Sequence, residues 1–151
     1  MEQMIHRDAY VRLAGMIVLS FISMYGLMYA MVDRSDNVFN SFNQLYMAGL
    51  MTAPMVAIEL LLMGNMYPDK KINAAIMIGA VIVGAVLFLL IRQQALIGDR
   101  QFLRSMIPHH AGAVLMCEKA NLQMPETKAL CASIVTGQNS EIDRMKALLK
   151  R

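Results

Sequence analysis

Two stretches of this chain carry no charged side chain at all: Leu13 to Val32, 20 residues long, and Ala74 to Ile91, 18 residues long. At about 1.5 Å of rise per residue, each can cross a hydrocarbon core of roughly 30 Å as a helix. Leu45 to Met66 is a third candidate, interrupted only by Glu59. Composition points the same way, because 57% of the residues are hydrophobic and 17% charged. Soluble domains run about 45–50% apolar and about 25% charged. A free cytosolic enzyme, a disordered chain and a collagen-like chain are all argued against.

The fold class expected is all-α. A membrane domain occupies residues 1–97, with spans at about 10–32, 45–66 and 73–92, and a helical-hairpin domain occupies residues 98–151. The first span is expected to be a retained anchor. Its apolar core exceeds the roughly 7–15 residues of a signal peptide, and no small-x-small cleavage site lies near Tyr29, Ala30 and Met31. The positive-inside rule sets Arg7, Arg12, Lys70 and Lys71 against Arg34, Arg92, Arg100 and Arg104, four on each side. The weakly basic first loop, with Arg34 between Asp33 and Asp36, leans toward an inside N-terminus and an outside tail. A net charge of +3 is too small to imply nucleic acid.

Within the spans, Glu59 needs a reason, since a carboxylate in lipid must be paired, neutralised or turned inward. Met47, Met51 and Met55 recur every four residues toward it, with Pro54 between them, and Met24, Met28 and Met31 form a stripe on the first span. One reading is a thioether path for Cu(I) ending on a carboxylate. The other is that Met fills helix contacts and Glu59 is protonated or bonded to a neighbour such as Asn65. In the third span Ala75 and Gly79, then Ala80 and Gly84, are small pairs four apart, a spacing that allows close helix approach.

The tail reads as two helices, about Arg100 to Asn121 and Pro125 to near Leu149, with Gly98 and Asp99 at the start and a turn at Gln123 and Met124. Phe102, Met106, His110, Ala113 and Cys117 share one arc of the first helix, with His109 and Met116 at its edge. Cys131, Ile134, Val135, Gln138, Ile142, Met145 and Leu149 form the facing stripe, with Glu141 at its margin. The midpoint of the hairpin lies seven residues from both Cys117 and Cys131, so antiparallel pairing sets them opposite each other. The same sum puts His110 opposite Gln138 and Met106 opposite Glu141 and Ile142. The cysteines form a disulfide in an oxidising compartment, or a thiol pair open to soft metals in a reducing one, or they are two buried small hydrophobes.

Met106, His109, His110, Met116 and Cys117 fall within twelve residues, and the chain's one other histidine is His6. Consecutive residues point about 100° apart on a helix, so His110 is expected to look into the bundle and His109 toward an edge or a partner chain. Thioether and thiolate suit Cu(I), and imidazole suits Cu(II); zinc or iron fits if Asp99 or Glu141 joins. No Gly-rich phosphate loop, nucleophile elbow or His-Glu-x-x-His motif is present, so binding rather than catalysis is expected.

The run from Gly98 through Met106-Ile107-Pro108-His109-His110, with Met116 and the later Leu130-Cys131, Ile134, Gln138, Glu141-Ile142 and Met145, resembles the family called domain of unknown function 305. The resemblance covers roughly residues 98–150. It implies a ferritin-like helical domain, often exported, with some members linked to copper binding and resistance. Met106, His109, His110, Met116 and Met145 are then the metal contacts, joined by Cys117, Cys131 and Glu141 as read from the stripes. Many members carry two copies of the Phe-x-x-Met-x-x-His-His pattern and this chain has one; Met124 also stands where an Asp before Pro125 is usual. One hairpin has too small a core to stand alone, so a homodimer or higher homo-oligomer completing a four-helix bundle is expected.

The function expected is membrane-anchored copper binding, buffering or resistance, with the tail on the periplasmic side of a bacterial inner membrane. A copper transporter or channel subunit using Met47, Met51, Met55 and Glu59 is the alternative. Its three-span plan resembles the high-affinity copper transporter family, although that family's Gly-x-x-x-Gly is not reproduced in the third span.

Overall fold

The computed structural model describes the backbone of residues 2–151 and the side chains of residues 8–151. The side chains of His6 and Arg7 therefore lie outside the described residues. Five α-helices follow in order: α1 (Glu2–Leu27), α2 (Phe42–Leu62), α3 (Lys70–Arg92), α4 (Asp99–Lys119) and α5 (Pro125–Leu149), with no strand among the described residues. Asp8–Met31, Phe42–Leu62 and Lys70–Arg92, with mean hydropathies of 1.8, 1.7 and 3.0, are long and apolar enough to cross a membrane.

The chain divides into two compact units. The first comprises residues 1–27 and 45–95, and the second residues 28–44 and 96–151. The second unit is thus larger than the tail alone, because it takes in the segment between the first two spans.

In the first unit α1, α2 and α3 meet at a cluster of Leu13, Val56, Leu60 and Tyr67, against which Tyr10, Ile17, Ile76 and Ala80 pack. The helix α3 starts three residues before the expected span because Asp69 caps it. Its carboxylate accepts from the amides of Lys71 (2.8 Å) and Ile72 (3.1 Å), two of the donors that have no partner inside the helix. Tyr10 ties α1 to this start by donating to Asn73 Oδ1 at 2.8 Å. Small residues draw α2 and α3 together. A Cβ added at Gly84 would sit 3.4 Å from Ala53 Cβ, and one at Gly49 only 2.7 Å from Leu87 Cδ1. Gly79, in contrast, faces open space, with nothing within 4 Å of such a Cβ.

In the second unit α4 and α5 form the hairpin. Pro125 opens α5 at a first-turn position, where its missing N–H costs nothing. Gly98 occupies the N-cap of α4 without any side-chain cap, and Asp99 lies inside the first turn. Its charge there complements the helix dipole rather than bonding the free amides. The core is Ile107, Ala111, Ile142 and Met145, with Val32 and Phe39 from the preceding segment packed on it.

That segment changes which face of α4 is buried. Ile107, Pro108, Ala111, Gly112 and Val114 are inside, whereas Phe102, placed on the inward arc by the sequence, is 49% exposed. A hairpin alone would bury one stripe. Here a second partner lies against α4, and a Cβ added at Gly112 would come within 3.5 Å of the Met31 carbonyl. Lys146 on α5 donates to Asp36 at 2.7 Å, and this hydrogen bond is the largest cause holding the Asp36 carboxyl below its ordinary value.

Candidate metal centre

Cys117 and Cys131 come together as a disulfide, with Cα atoms 5.2 Å apart. Among the described residues no cysteine is free. Of the three states left open by the sequence, the structure holds the oxidised one. A disulfide sulfur is not a thiolate, so in this state neither cysteine serves as a soft ligand.

The histidines differ as their helical positions require. His109 is exposed, whereas the His110 side chain is 12% exposed, and their ring centroids are 6.0 Å apart at an edge-on 63°. Both nitrogens of His110 are engaged. Nδ1 lies 2.9 Å from the Met106 carbonyl oxygen, and Nε2 lies 2.7 Å from Glu141 Oε2. A carbonyl only accepts, so Nδ1 carries a hydrogen, and Nε2 is the atom turned toward the carboxylate. A bare lone pair facing a bare carboxylate is repulsive. The pair is thus an edge open to a cation, with the imidazole nitrogen on one side and the carboxylate oxygen on the other.

The partner of His110 is therefore Glu141, not Gln138. Direct opposition sets Gln138 level with His110, but each Cα–Cβ bond tilts toward the N-terminus of its own helix. In an antiparallel pair those tilts converge. His110 leans back along α4 while Glu141 leans back along α5, closing an offset of three residues, about 4.5 Å.

The thioethers are dispersed. Met106 packs on the Ile107–Ile142 cluster and Met145, 9% exposed, belongs to it, while Met116 is 54% exposed. No group of three or more His, Cys, Asp or Glu side chains converges among the described residues. What one chain offers is a nitrogen–oxygen pair, His110 and Glu141, at a solvent edge. Such donors suit Cu(II) or Zn(II) better than Cu(I). With metal–ligand bonds of about 2.0–2.2 Å, the 2.7 Å separation corresponds to an angle of roughly 75–85° at the metal, a little under the right angle of a tetragonal site and well under a tetrahedral one. Glu141, 59% exposed, has room to swing back.

In the first unit Glu59 is bonded, but to Tyr67, whose hydroxyl donates to Oε1 at 3.0 Å, rather than to Asn65. Burial first, and then this carboxylate, push the Tyr67 phenol above its ordinary value, so it stays a donor. Met47 and Met51 lie on the outer face of α2, 39% and 40% exposed. Met55 and Met24 share a shallow groove with Arg12 and Ser20. Tyr67 had no role in the sequence reading. Its place eight residues after Glu59, just past the span, was the available signal.

Three helices able to cross a membrane, followed by a disulfide-closed α-hairpin bearing a histidine–carboxylate pair, define an all-α protein with candidate membrane spans. The family described as "Domain of unknown function (DUF305)" matches residues 91–149. The "Uncharacterized protein L153" of Acanthamoeba polyphaga mimivirus is 30% identical over 137 residues, 89% of this chain and 88% of that protein. The chain belongs to the family of that viral protein, and its C-terminal part carries the DUF305 domain. No solved structure matches it.

Proposed function

We propose that the protein is a membrane-anchored metal-binding protein that takes up copper at the hairpin, with His110 and Glu141 as its first two ligands. The observation that carries this reading is the His110 Nε2–Glu141 Oε2 contact of 2.7 Å, made while Nδ1 is held by the Met106 carbonyl. The imidazole is oriented from behind by a backbone acceptor, the usual support of a ligating histidine. The donors suit Cu(II), with Zn(II) or iron as competitors, and the role is binding or buffering.

The disulfide supports placing the hairpin on an oxidising face. In a bacterial inner membrane that is the periplasmic face. A pair of donors leaves coordination positions open, and Phe102, Met116, Leu130 and Leu148 are 49%, 54%, 60% and 42% exposed on the hairpin. Both features support pairing of two copies into a ferritin-like four-helix bundle, to which the exposed His109 of each chain contributes. Crosslinking the full chain in mild detergent is expected to give a dimer, and a purely monomeric mass would overturn the pairing.

The test of binding is a titration of the purified full chain with Cu(II), Zn(II), and Cu(I) under reductant. His110→Ala and Glu141→Gln are each expected to weaken Cu(II) binding by about 10–100-fold or more, on the scale of lost metal-site support. Cu(II) affinity unchanged in the double variant would end the proposal.

A further inference from the structure

In the first unit a groove runs along α1 and α3. The α1 wall is Tyr10, Val11, Ala14, Ile17, Val18 and Phe21, and the α3 wall is Ile72, Ile76, Gly79, Ala80, Val83 and Leu87. Both walls step by three or four residues in the same order, so the two helices run in one direction and keep one face each to the groove. Ile76 lines both its outer and its inner part, so the two adjoin at that side chain.

The inner part has a volume of about 630 Å³ and almost no polar lining. Its two hydroxyls are already committed. Thr52 donates to the Ala48 carbonyl at 2.8 Å and Tyr46 to the Ala95 carbonyl at 3.2 Å. Water needs about two to four polar partners to settle in a cavity, and at most the acceptor sides of these two hydroxyls remain. The mouth is different: Lys70 and Lys71 line it beside Tyr10. Asp69 is there too, with Oδ1 accepting from the α3 amides, so the mouth carries two positive side chains against one negative. From Ile72 to Leu87 the groove extends about 22 Å at about 1.5 Å per residue, more than the depth of one leaflet, roughly half of 30 Å.

We infer that this groove is a binding site for an anionic phospholipid of the surrounding bilayer, with its phosphate at Lys70 and Lys71 and one acyl chain laid along Ile76, Gly79 and Val83. The amphipathic layout selects the occupant. A second protein helix, about 10 Å across, has no use for two lysines at one end of a dry groove, whereas a phospholipid needs a cationic head site and an apolar trough in that order. Gly79 leaves the trough open, since nothing lies within 4 Å of the position its Cβ would take. A larger side chain there fills the space the acyl chain uses and raises helix propensity.

Native mass spectrometry of the full chain, purified in mild detergent from vesicles of equal phosphatidylglycerol and phosphatidylcholine, tests this directly. The wild type is expected to retain one phospholipid per chain, enriched in phosphatidylglycerol. Gly79→Leu is expected to lower the retained lipid at least fivefold. Lys70→Gln with Lys71→Gln, at an exposed end where folding is not at stake, is expected to abolish the enrichment while lipid is still carried. Retention of lipid by Gly79→Leu at the wild-type level, no lipid on the wild type, equal retention of the two lipids by the wild type, or a second copy of the chain released by Gly79→Leu would each overturn the site. The readout does not involve metal, so it stands or falls apart from the copper proposal.

Discussion

Ile142→Ala is expected to destabilise the hairpin by about 3 kcal/mol, within the roughly 2–5 kcal/mol found for Ile-to-Ala changes at buried sites. Ile142 is 1% exposed and packs with Ile107 and Ala111, both at 0%, in the only buried apolar cluster that α4 and α5 share among the described residues. Relaxation into the cavity is restricted, because the Cys117–Cys131 bond fixes one end of the pair and Val32 and Phe39 brace the other. Met145 and Leu149 are flexible enough to fill part of the space, which keeps the loss from the top of the range. Hydrogen exchange on the full chain reads the effect, since about 3 kcal/mol is somewhat more than a hundredfold loss of protection in the α5 amides. Ser140→Ala, at an exposed position on the same helix, is the control and should stay within about 0.5 kcal/mol. A loss below about 1 kcal/mol for Ile142→Ala would mean that this cluster does not hold the hairpin together.

The spans were legible because lipid imposes a requirement on length and charge that few other structures share. Leu13 to Met31 and Ala74 to Ile91 lie inside candidate spans, while Val32 falls just past the first one and packs on the hairpin, and the start of α5 at Pro125 follows from the fixed φ of proline. The buried face of α4 was not legible in the same way. A stripe computed for one partner holds only if there is one partner, and Met28–Gln44 is a second. Nothing local marks that segment as more than a connection between spans. The available hints were its aromatic residues Tyr29 and Phe39 and the acidic Asp36, which pairs with Lys146 more than a hundred positions away. Such long-range complementarity has no period to betray it.

At the candidate site, the cysteine pairing could be read from symmetry about the turn, because two short side chains directly opposite each other have little room to miss. His110 is longer, and its partner depends on which way side chains lean, so the opposition rule picked Gln138 and the structure picks Glu141. The Met residues separate for a similar reason. Met106 and Met145 share the histidine region in sequence and register, yet apolar burial claims them for the cluster. Hydrophobicity and softness are carried by the same thioether, and sequence spacing does not distinguish which property the fold uses.

Removing the disulfide should separate the two ends of the hairpin in stability. The bond closes a loop with a sequence separation of 14, for which chain entropy predicts about 3 kcal/mol. Near the turn little else resists opening, because Asn121 and residues 123–126 are exposed and the buried cluster of Ile107 and Ile142 lies at the far end. Cys117→Ser with Cys131→Ser, in the full chain, is therefore expected to raise exchange of the amides between residues 117 and 131, beyond the buried Val114, about a hundredfold. Those around Ile142 should change far less. Thiol counting supplies the companion measurement. The unreduced, denatured protein should show no reactive thiol, and reduction should reveal two, the chain's whole cysteine content. Two thiols before reduction would remove the clasp and with it the argument for an oxidising compartment. Equal loss of protection along the whole hairpin would show that its two ends open as one unit.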